Sequence, residues 1–319
     1  MAMIEVKAVE PQVAEPKVAG PKGIGTKTIE PKQAGSALSE GHRAGLRHFL
    51  RRHPVILAGI SVLLLFMMIA AAAPYLLPDP SRLDPSQRLR PPSLQNWFGT
   101  DHLGRSVLSR TLNGTSISLA AGTLVMVLTT VFGVLFGLLS GFFRKLDGIL
   151  MRFMDGVMAI PGILLAIALM SLFGSSLQNV VVAITIVEVP RMARVVRSCV
   201  LVLRDQPYVE ASITLGTRVP RLLFRDILPN IAAPVLVQAT YVFAAAMVVE
   251  SVLSFLGAGT PPTIPSWGNM LAEGRQYLQR APWIAAFPGV FLALLILTVN
   301  VLGDALRDAL DPKLSRRRN

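Results

Sequence analysis

Cysteine is almost missing from this sequence. The single Cys199 excludes a disulfide framework and any cysteine-based zinc site. Histidine is scarce too: His42, His48, His53 and His102 show no metal-ligand spacing. Charge is low, at 16% of 319 residues, where a soluble domain carries about 25%. A water-soluble chain of this size could not cover its surface with so few charges. No Walker-type Gly-Lys-Ser/Thr cradle is present, so the chain holds no nucleotide by that route. It also lacks a nucleophile elbow, an HExxH pair and a paired-carboxylate arrangement, which argues against an enzyme.

What is there is apolar. Hydrophobic residues make up 52%, mean hydropathy is +0.54, and the apolar residues come in long blocks. Those blocks exclude disorder for most of the chain and predict an all-α, polytopic membrane protein. Net charge is +12 with pI near 10.7. The basic residues flank apolar spans rather than forming a basic face with interleaved aromatics, so a lipid bilayer accounts for them and nucleic acid does not.

Residues 1–40 differ in kind. They hold Pro11, Pro16, Pro21 and Pro31 among scattered lysines and glutamates, with no aromatic residue, and are expected to be a disordered cytoplasmic tail. No apolar stretch follows these charges, so the tail does not read as a signal peptide. Gly20–Thr28 superficially suggests a phosphate loop but fails its spacing.

Residues 41–319 are read as one transmembrane domain with six spans, at about 55–73, 117–143, 156–173, 179–200, 231–256 and 283–302. The first carries ten Leu, Ile, Val or Phe residues, worth roughly −3 to −6 kcal/mol on the insertion scale. The third contains Pro161. The fourth is the least apolar, because it continues through Glu188, Pro190, Arg191 and Arg194. Arg43, Arg47, Arg51 and Arg52, Arg144 and Lys145, the arginines from Arg191 to Arg225, and the C-terminal Lys313 and Arg316–Arg318 fall on one side. Far fewer basic residues fall on the other, so the positive-inside rule places both termini in the cytoplasm. Thr129 and Thr130 read as helix-packing groups. Glu188 and Arg191 are candidates for a pathway or gate, since ionisable groups at membrane depth carry function by default; a mutual ion pair is the alternative reading.

The most informative polar stretch is 204–230, RDQPYVEASITLGTRVPRLLFRDILPN. Asp205 can cap a helix with Pro207 in its first turn, and Gly216 can end it. Thr217 can cap a second helix, with Pro220 in its first turn and Pro229 as its stop. Arg221 and Arg225 share a face. Such a helix–bend–helix element suits either a groove on a cytosolic partner or the headgroup layer of a membrane.

Four stretches resemble a known family. Glu210-Ala211-Ser212, Gly216 four residues on, and Pro229 thirteen beyond the glycine are similar to the EAA loop of ABC-importer permeases, with Ser212 for the usual second alanine and Asp226 where an apolar residue is frequent. Gly99–Arg110 (GTDHLGRSVLSR) is similar to the GTDxxGRDxxSR signature of dipeptide/oligopeptide permeases, with Ser106 for Asp. Ser254–Met270 and Asn300–Lys313 also look like that family, which the nickel permeases resemble closely. The match spans about residues 45–314 and points to the C-type permease subunit.

The resemblance implies a type I ABC-importer permease in the bacterial plasma (inner) membrane. It would be paired with a second permease subunit, driven by two cytosolic ABC ATPases, and fed di- or oligopeptides by an extracytoplasmic solute-binding protein. Glu210, Ala211, Ser212, Gly216, Arg221, Arg225 and Pro229 would form the ATPase-coupling loop. The chain itself would need no cofactor or metal, ATP and Mg being bound by the partner ATPases. Alternatives are a permease of the same family for nickel or another small solute, and an ATP-independent secondary transporter, which would need an ion site and internal repeats. The outer segments 74–116, in which Asp101 can cap a helix carrying Leu103, Val107, Leu108 and Leu112 on one side and ending near Gly114, and 257–282 would either receive the binding protein or lie on the outer leaflet.

Overall fold

A computed structural model describes residues 54–310; the expected disordered tail, 1–40, lies outside the described residues. Among the described residues the elements are helical, with one antiparallel bridge between Thr100 and Ser106. Nine principal helices follow one another: α1 Pro54–Leu76, α2 Val107–Phe142, α3 Arg144–Met158, α4 Gly162–Phe173, α5 Leu177–Arg204, α6 Pro207–Thr214, α7 Ala232–Phe255, α8 Trp267–Arg275 and α9 Trp283–Leu310.

The 36 residues of α2 make a helix of about 54 Å, well beyond a hydrocarbon layer of about 30 Å. Its first turns are polar, with Ser109, Arg110, Thr111, Asn113 and Thr115 buried against the loops beyond the apolar layer. The sequence suggested a separate short helix ending near Gly114 under an Asp101 cap. Instead one helix runs through, and Ser106 caps it by accepting from the Ser109 amide. Gly114 is there for close approach: a Cβ would meet the Pro265 carbonyl at 3.1 Å and the Trp267 ring at 3.2 Å.

α5 is the central helix. Gly133, Gly137 and Gly141 of α2, spaced by four, bring α2 onto its Met192, Val196 and Val200; a Cβ on those glycines would lie 2.3, 2.5 and 2.6 Å from these side chains. Small residues at this spacing let two backbones close on each other, which is how helices associate where lipid offers no hydrophobic driving force. Arg204 finishes the pair by reaching the Gly141 and Phe142 carbonyls at the end of α2. Val180, Ile184, Met192 and Val196 of α5 form the main core with Ala166 and Met170 of α4 and Val242 and Ala246 of α7. A second cluster joins Phe66 of α1, Phe243 and Met247 of α7, and Leu295 and Val299 of α9 around Trp267.

Two findings alter the expected span plan. The third span, drawn continuously through Pro161, is broken: α3 and α4 meet at 88°, and Pro161 stands at the break. Pro161 has no amide to donate and disfavours helical geometry at Ile160, so α3 ends there. α3 is amphipathic and is clamped on α5 by the Asp147–Arg197 and Asp155–Arg194 pairs, each with a bond of 2.7 Å. The second finding concerns number. Among the described residues four helices are long and apolar enough to cross a membrane, or five if the bent pair is one crossing. The expected span missing from that count is the fourth, α5, whose five charged residues lower its apolarity. A helix enclosed by protein does not need a lipid-compatible surface all round, and thirteen α5 residues, Glu188 among them, are buried.

Candidate functional site

The connector between α5 and α7 is built from two short helical pieces and a bend. Pro207 occupies the first turn of α6, where its missing amide costs nothing. Asp205 does not cap it: it ends α5 and lies 3.7 Å from Arg204 Nε, leaving Gln206 at the cap position. Gly216 has φ +75°, which a side chain would strain, and nothing approaches within 4 Å. The Gly216 and Thr217 amides donate to the Ile213 and Ser212 carbonyls and close the bend. Arg218, not Thr217, stands at the start of the next helical run.

That run does not stop at Pro229. Val219–Arg221, a π-helical turn Leu222–Ile227 and a tight turn Leu228–Ile231 pass directly into α7, giving one helical stretch, Val219–Phe255. Pro229 cannot donate to the Arg225 carbonyl, and the wide turn followed by a tight one absorbs that loss. The Asn230 side chain ties the run back to the Asp226 carbonyl at 2.6 Å and to the Tyr208 hydroxyl at 3.4 Å.

The connector has a buried and an exposed side. Val209, Leu222, Leu223, Ile227 and Ile231 are buried. Glu210, Ala211, Gly216, Arg221, Arg225 and Pro229 are exposed, and Ser212 is half-buried. Arg221 and Arg225 pair with no carboxylate among the described residues. Beside them Ile213, Leu215 and Phe224 are also exposed, Leu215 at 85%. Sequence reasoning missed these three. The signal was present, because apolar residues at the tip of a polar loop have no core to enter.

Glu188 and Arg191 come together on α5, Arg191 Nη1 lying 2.9 Å from Glu188 Oε1. Glu188 is buried and Arg191 is about half-exposed. The arrangement is the mutual ion pair that the sequence left as an alternative.

The stretch Gly99–Arg110 folds into a knot at the start of α2. Gly99 and Gly104 take φ +73° and +80°, and a Cβ on Gly104 would lie 1.8 Å from the Asp84 carbonyl oxygen. Asp101 is fully buried and accepts from the Leu103 and Arg105 amides, from Arg105 Nε at 2.6 Å and from Arg110 Nη1 at 2.7 Å. Both arginines also reach Glu273 of α8, at 2.8 and 2.6 Å. Burial pushes the Asp101 carboxyl up, but Arg110, Arg105 and the two amides outweigh it and hold it below its ordinary value. His102 stacks on Tyr277, and its Nδ1 lies 3.9 Å from Glu273. Asp101, His102 and Glu273 thus gather three metal-type ligands. Two fixed guanidinium groups already occupy the carboxylates, so the cluster is an ion-pair lock, with two positive and two negative side chains in balance. Asp304, near the end of α9, accepts from the Tyr241 hydroxyl of α7.

Comparison with known proteins agrees with this arrangement. Residues 130–316 match the family described as "Binding-protein-dependent transport system inner membrane component". The chain is 50% identical to "Probable peptide ABC transporter permease protein y4tQ" of Sinorhizobium fredii, over 84% of this chain and 92% of that protein. It is 44% identical to the glutathione transport system permease protein GsiD of Pectobacterium atrosepticum, over 84% and 90%, and 41% identical to the dipeptide transport system permease protein DppC of Alkalihalophilus pseudofirmus, over 83% and 88%. Its fold is similar to a chain of the inward-facing MetNI methionine ABC transporter in the CY5 native crystal form, with a TM-score of 0.53, 20% identity, and coverage of 64% of this chain and 98% of that one. The protein is therefore a multi-pass membrane component belonging to the binding-protein-dependent transport system inner membrane family.

Proposed function

We propose that the chain is a permease subunit of an ATP-driven importer that carries short peptides across the bacterial plasma membrane, both termini lying in the cytoplasm. It pairs with a second permease to enclose the pathway, and two cytosolic ATPases supply the energy, since this chain carries no nucleotide cradle. Substrate reaches it from an extracytoplasmic binding protein. The peptide class follows the names of the relatives, which are permeases for peptides, dipeptides and glutathione.

One observation carries the reading. The connector presents Leu215, Phe224, Arg221 and Arg225 outward around the Gly216 bend, at the end of a helix that continues into α7. An apolar tip ringed by unpaired cations fits a groove on a soluble subunit. Continuity with α7 lets a push on that tip tilt a membrane helix. Glu210, Ala211, Ser212 and Pro229 belong to the same seat. α5 completes the crossings, enclosed by its neighbours, and its Glu188–Arg191 ion pair is proposed as a gate that biases the pathway between two arrangements.

The reading is tested by purifying the complex from membranes containing Glu210→Lys or Gly216→Pro. Proline cannot adopt the φ of +75° at Gly216. Both variants should reach the membrane at normal abundance, lose the co-purifying ATPase and lose uptake. Normal uptake with full ATPase association would refute the docking role. Mass spectrometry of solute trapped in the intact complex should find short peptides; a metal ion or another small solute would refute the substrate class.

A further inference from the structure

A fully buried carboxylate stands in an otherwise uncharged membrane helix and belongs to none of the sites above. Glu250 lies near the α8 end of α7 and is 0% exposed. Ser254 Oγ, one turn on, donates to its Oε1 at 2.9 Å, and Ser251 Oγ lies 3.4 Å from its Oε2. From Ser254 the network leaves the helix. Ser254 and Thr260 hydroxyls lie 3.0 Å apart, the Thr260 amide donates to Ser254 Oγ at 3.2 Å, and Thr260 Oγ1 donates to Ser266 Oγ at 3.1 Å. Ser266 caps α8, accepting from the Asn269 amide. Asn269 Nδ2 turns back onto the Thr260, Pro261 and Ile264 carbonyls.

The two helices are also in backbone contact. A Cβ on Gly268 of α8 would lie 2.6 Å from the Ser251 carbonyl oxygen of α7. α8 then passes the connection onward: Trp267 Nε1 donates to the Thr111 carbonyl of α2 at 2.8 Å, and Glu273 holds Arg105 and Arg110.

We propose that Glu250 is a positioning residue that locks α8 to the end of α7, so that a tilt imposed at the connector carries α8 and the Asp101 knot with it as one body. The inference rests on the reading of the connector as the seat of a driving subunit. Burial of an acid in an apolar helix is expensive unless every oxygen is satisfied. Here the direct donors, Ser251 and Ser254, belong to α7 itself; Ser254, held by Glu250, in turn accepts from the Thr260 amide of the loop that leads into α8, and that link persists only while α8 keeps its place. Glu250→Ala would remove the acceptor that orients Ser254, leaving the Ser251, Ser254, Thr260 and Ser266 hydroxyls to rearrange among themselves and loosening the Ser254–Thr260 link between α7 and the loop into α8.

The test uses the whole complex, reconstituted with its ATPases, in a Cys199→Ser background. Spin labels at Leu256→Cys and Gln276→Cys, both exposed, report the α7–α8 distance, and a third label at Leu215→Cys reports the connector. In the wild-type sequence the 256–276 distance should be single, narrow and unchanged by ATP with vanadate, while the connector label moves. Glu250→Ala should broaden the 256–276 distance even without nucleotide. It should also lower the stimulation of ATP hydrolysis by solute-loaded binding protein about tenfold, within the range by which residues along such networks change coupling. Glu250→Gln, which keeps an acceptor for Ser254, should restore both. Should Glu250→Ala fail to accumulate, Ser254→Ala removes the same bond with the loss of one atom and should broaden the distance likewise. A 256–276 distance that shifts with nucleotide in the wild type, or one that stays narrow in Glu250→Ala and Ser254→Ala alike, overturns the lock. A connector label that ATP leaves unmoved, with the 256–276 distance still narrow, overturns the connector reading instead.

Discussion

At the scale of single residues, the fold is most sensitive where a side chain is missing. Gly137 leaves room for Val196 at a place where a Cβ would lie 2.5 Å away, whereas Gly148 on α3 has open space. Gly137→Leu should therefore force α2 off α5 and cost at least the ~1–3 kcal/mol typical of overpacking. Gly148→Ala should be neutral or slightly stabilising. Thermal unfolding in detergent, read on the two variants side by side, checks the contrast. The buried ion-pair lock gives a second prediction. Asp101→Asn leaves Arg110, 1% exposed, with half its partners, and breaking a buried pair costs about 3–5 kcal/mol. The pH dependence follows from the direction of the Asp101 shift. Its folded-state value lies below the ordinary 3.8, so the stability it contributes is fully present above about pH 4 and is lost as pH falls through the lowered value. Hydrogen exchange at the Leu103 and Arg105 amides, which donate to Asp101, measured relative to the intrinsic rate at each pH, should be slow at neutral pH and accelerate only in strong acid. Acceleration already at pH 6 would contradict this.

Among the elements, the helical character and the approximate places of the apolar helices were legible, because long charge-free blocks such as Val55–Ala73 admit few other structures in lipid. The exceptions share one cause: local punctuation was read without knowing the neighbour. Gly114 looked like a helix end but serves the approach of Trp267. Pro229 looked like a stop but lies inside a continuous helical stretch, because the π turn before it takes up the mismatch. Pro161 was drawn inside a continuous third span and stands at a right-angled break. Asp205 and Thr217 looked like caps, and backbone geometry at Gln206 and Arg218 supersedes them. In the connector, the positions at the bend were visible from spacing alone. Ile213, Leu215 and Phe224 were legible only as apolar residues in a polar loop; that these three stay exposed while Val209 and Leu222 are covered depends on α5 and α7. Val209 is the sole buried residue of α6, so this helix is held by little apolar contact. Val209→Asp should release α6 while leaving α7 in place: limited proteolysis should cut within 205–218 much faster than in the wild type, and uptake should fall.

For the molecule as a whole, the exposed apolar side chains tell where it lives. Leu64, Met68, Val131, Leu164, Leu172, Leu294 and Leu297 present large apolar surfaces that no soluble monomer could leave uncovered. Lipid and a second permease are the partners that would cover them. On the proposed lock, the connector, α7, the Glu250 network, α8 and the Asp101 knot would form one continuous mechanical route. A transporter moved from one side requires such a route, because a flexible link anywhere along it would absorb the motion. On the proposed function, a cytosolic ATPase grips the connector. A single cysteine at position 215, in the Cys199→Ser background, with a short cross-linker added to membrane vesicles, tests it directly. That cysteine should be accessible from the cytoplasm and should cross-link to an ATPase subunit with a yield that changes with ATP. Labelling of that cysteine from the outer face, or cross-links to lipid alone whatever the nucleotide, would contradict it.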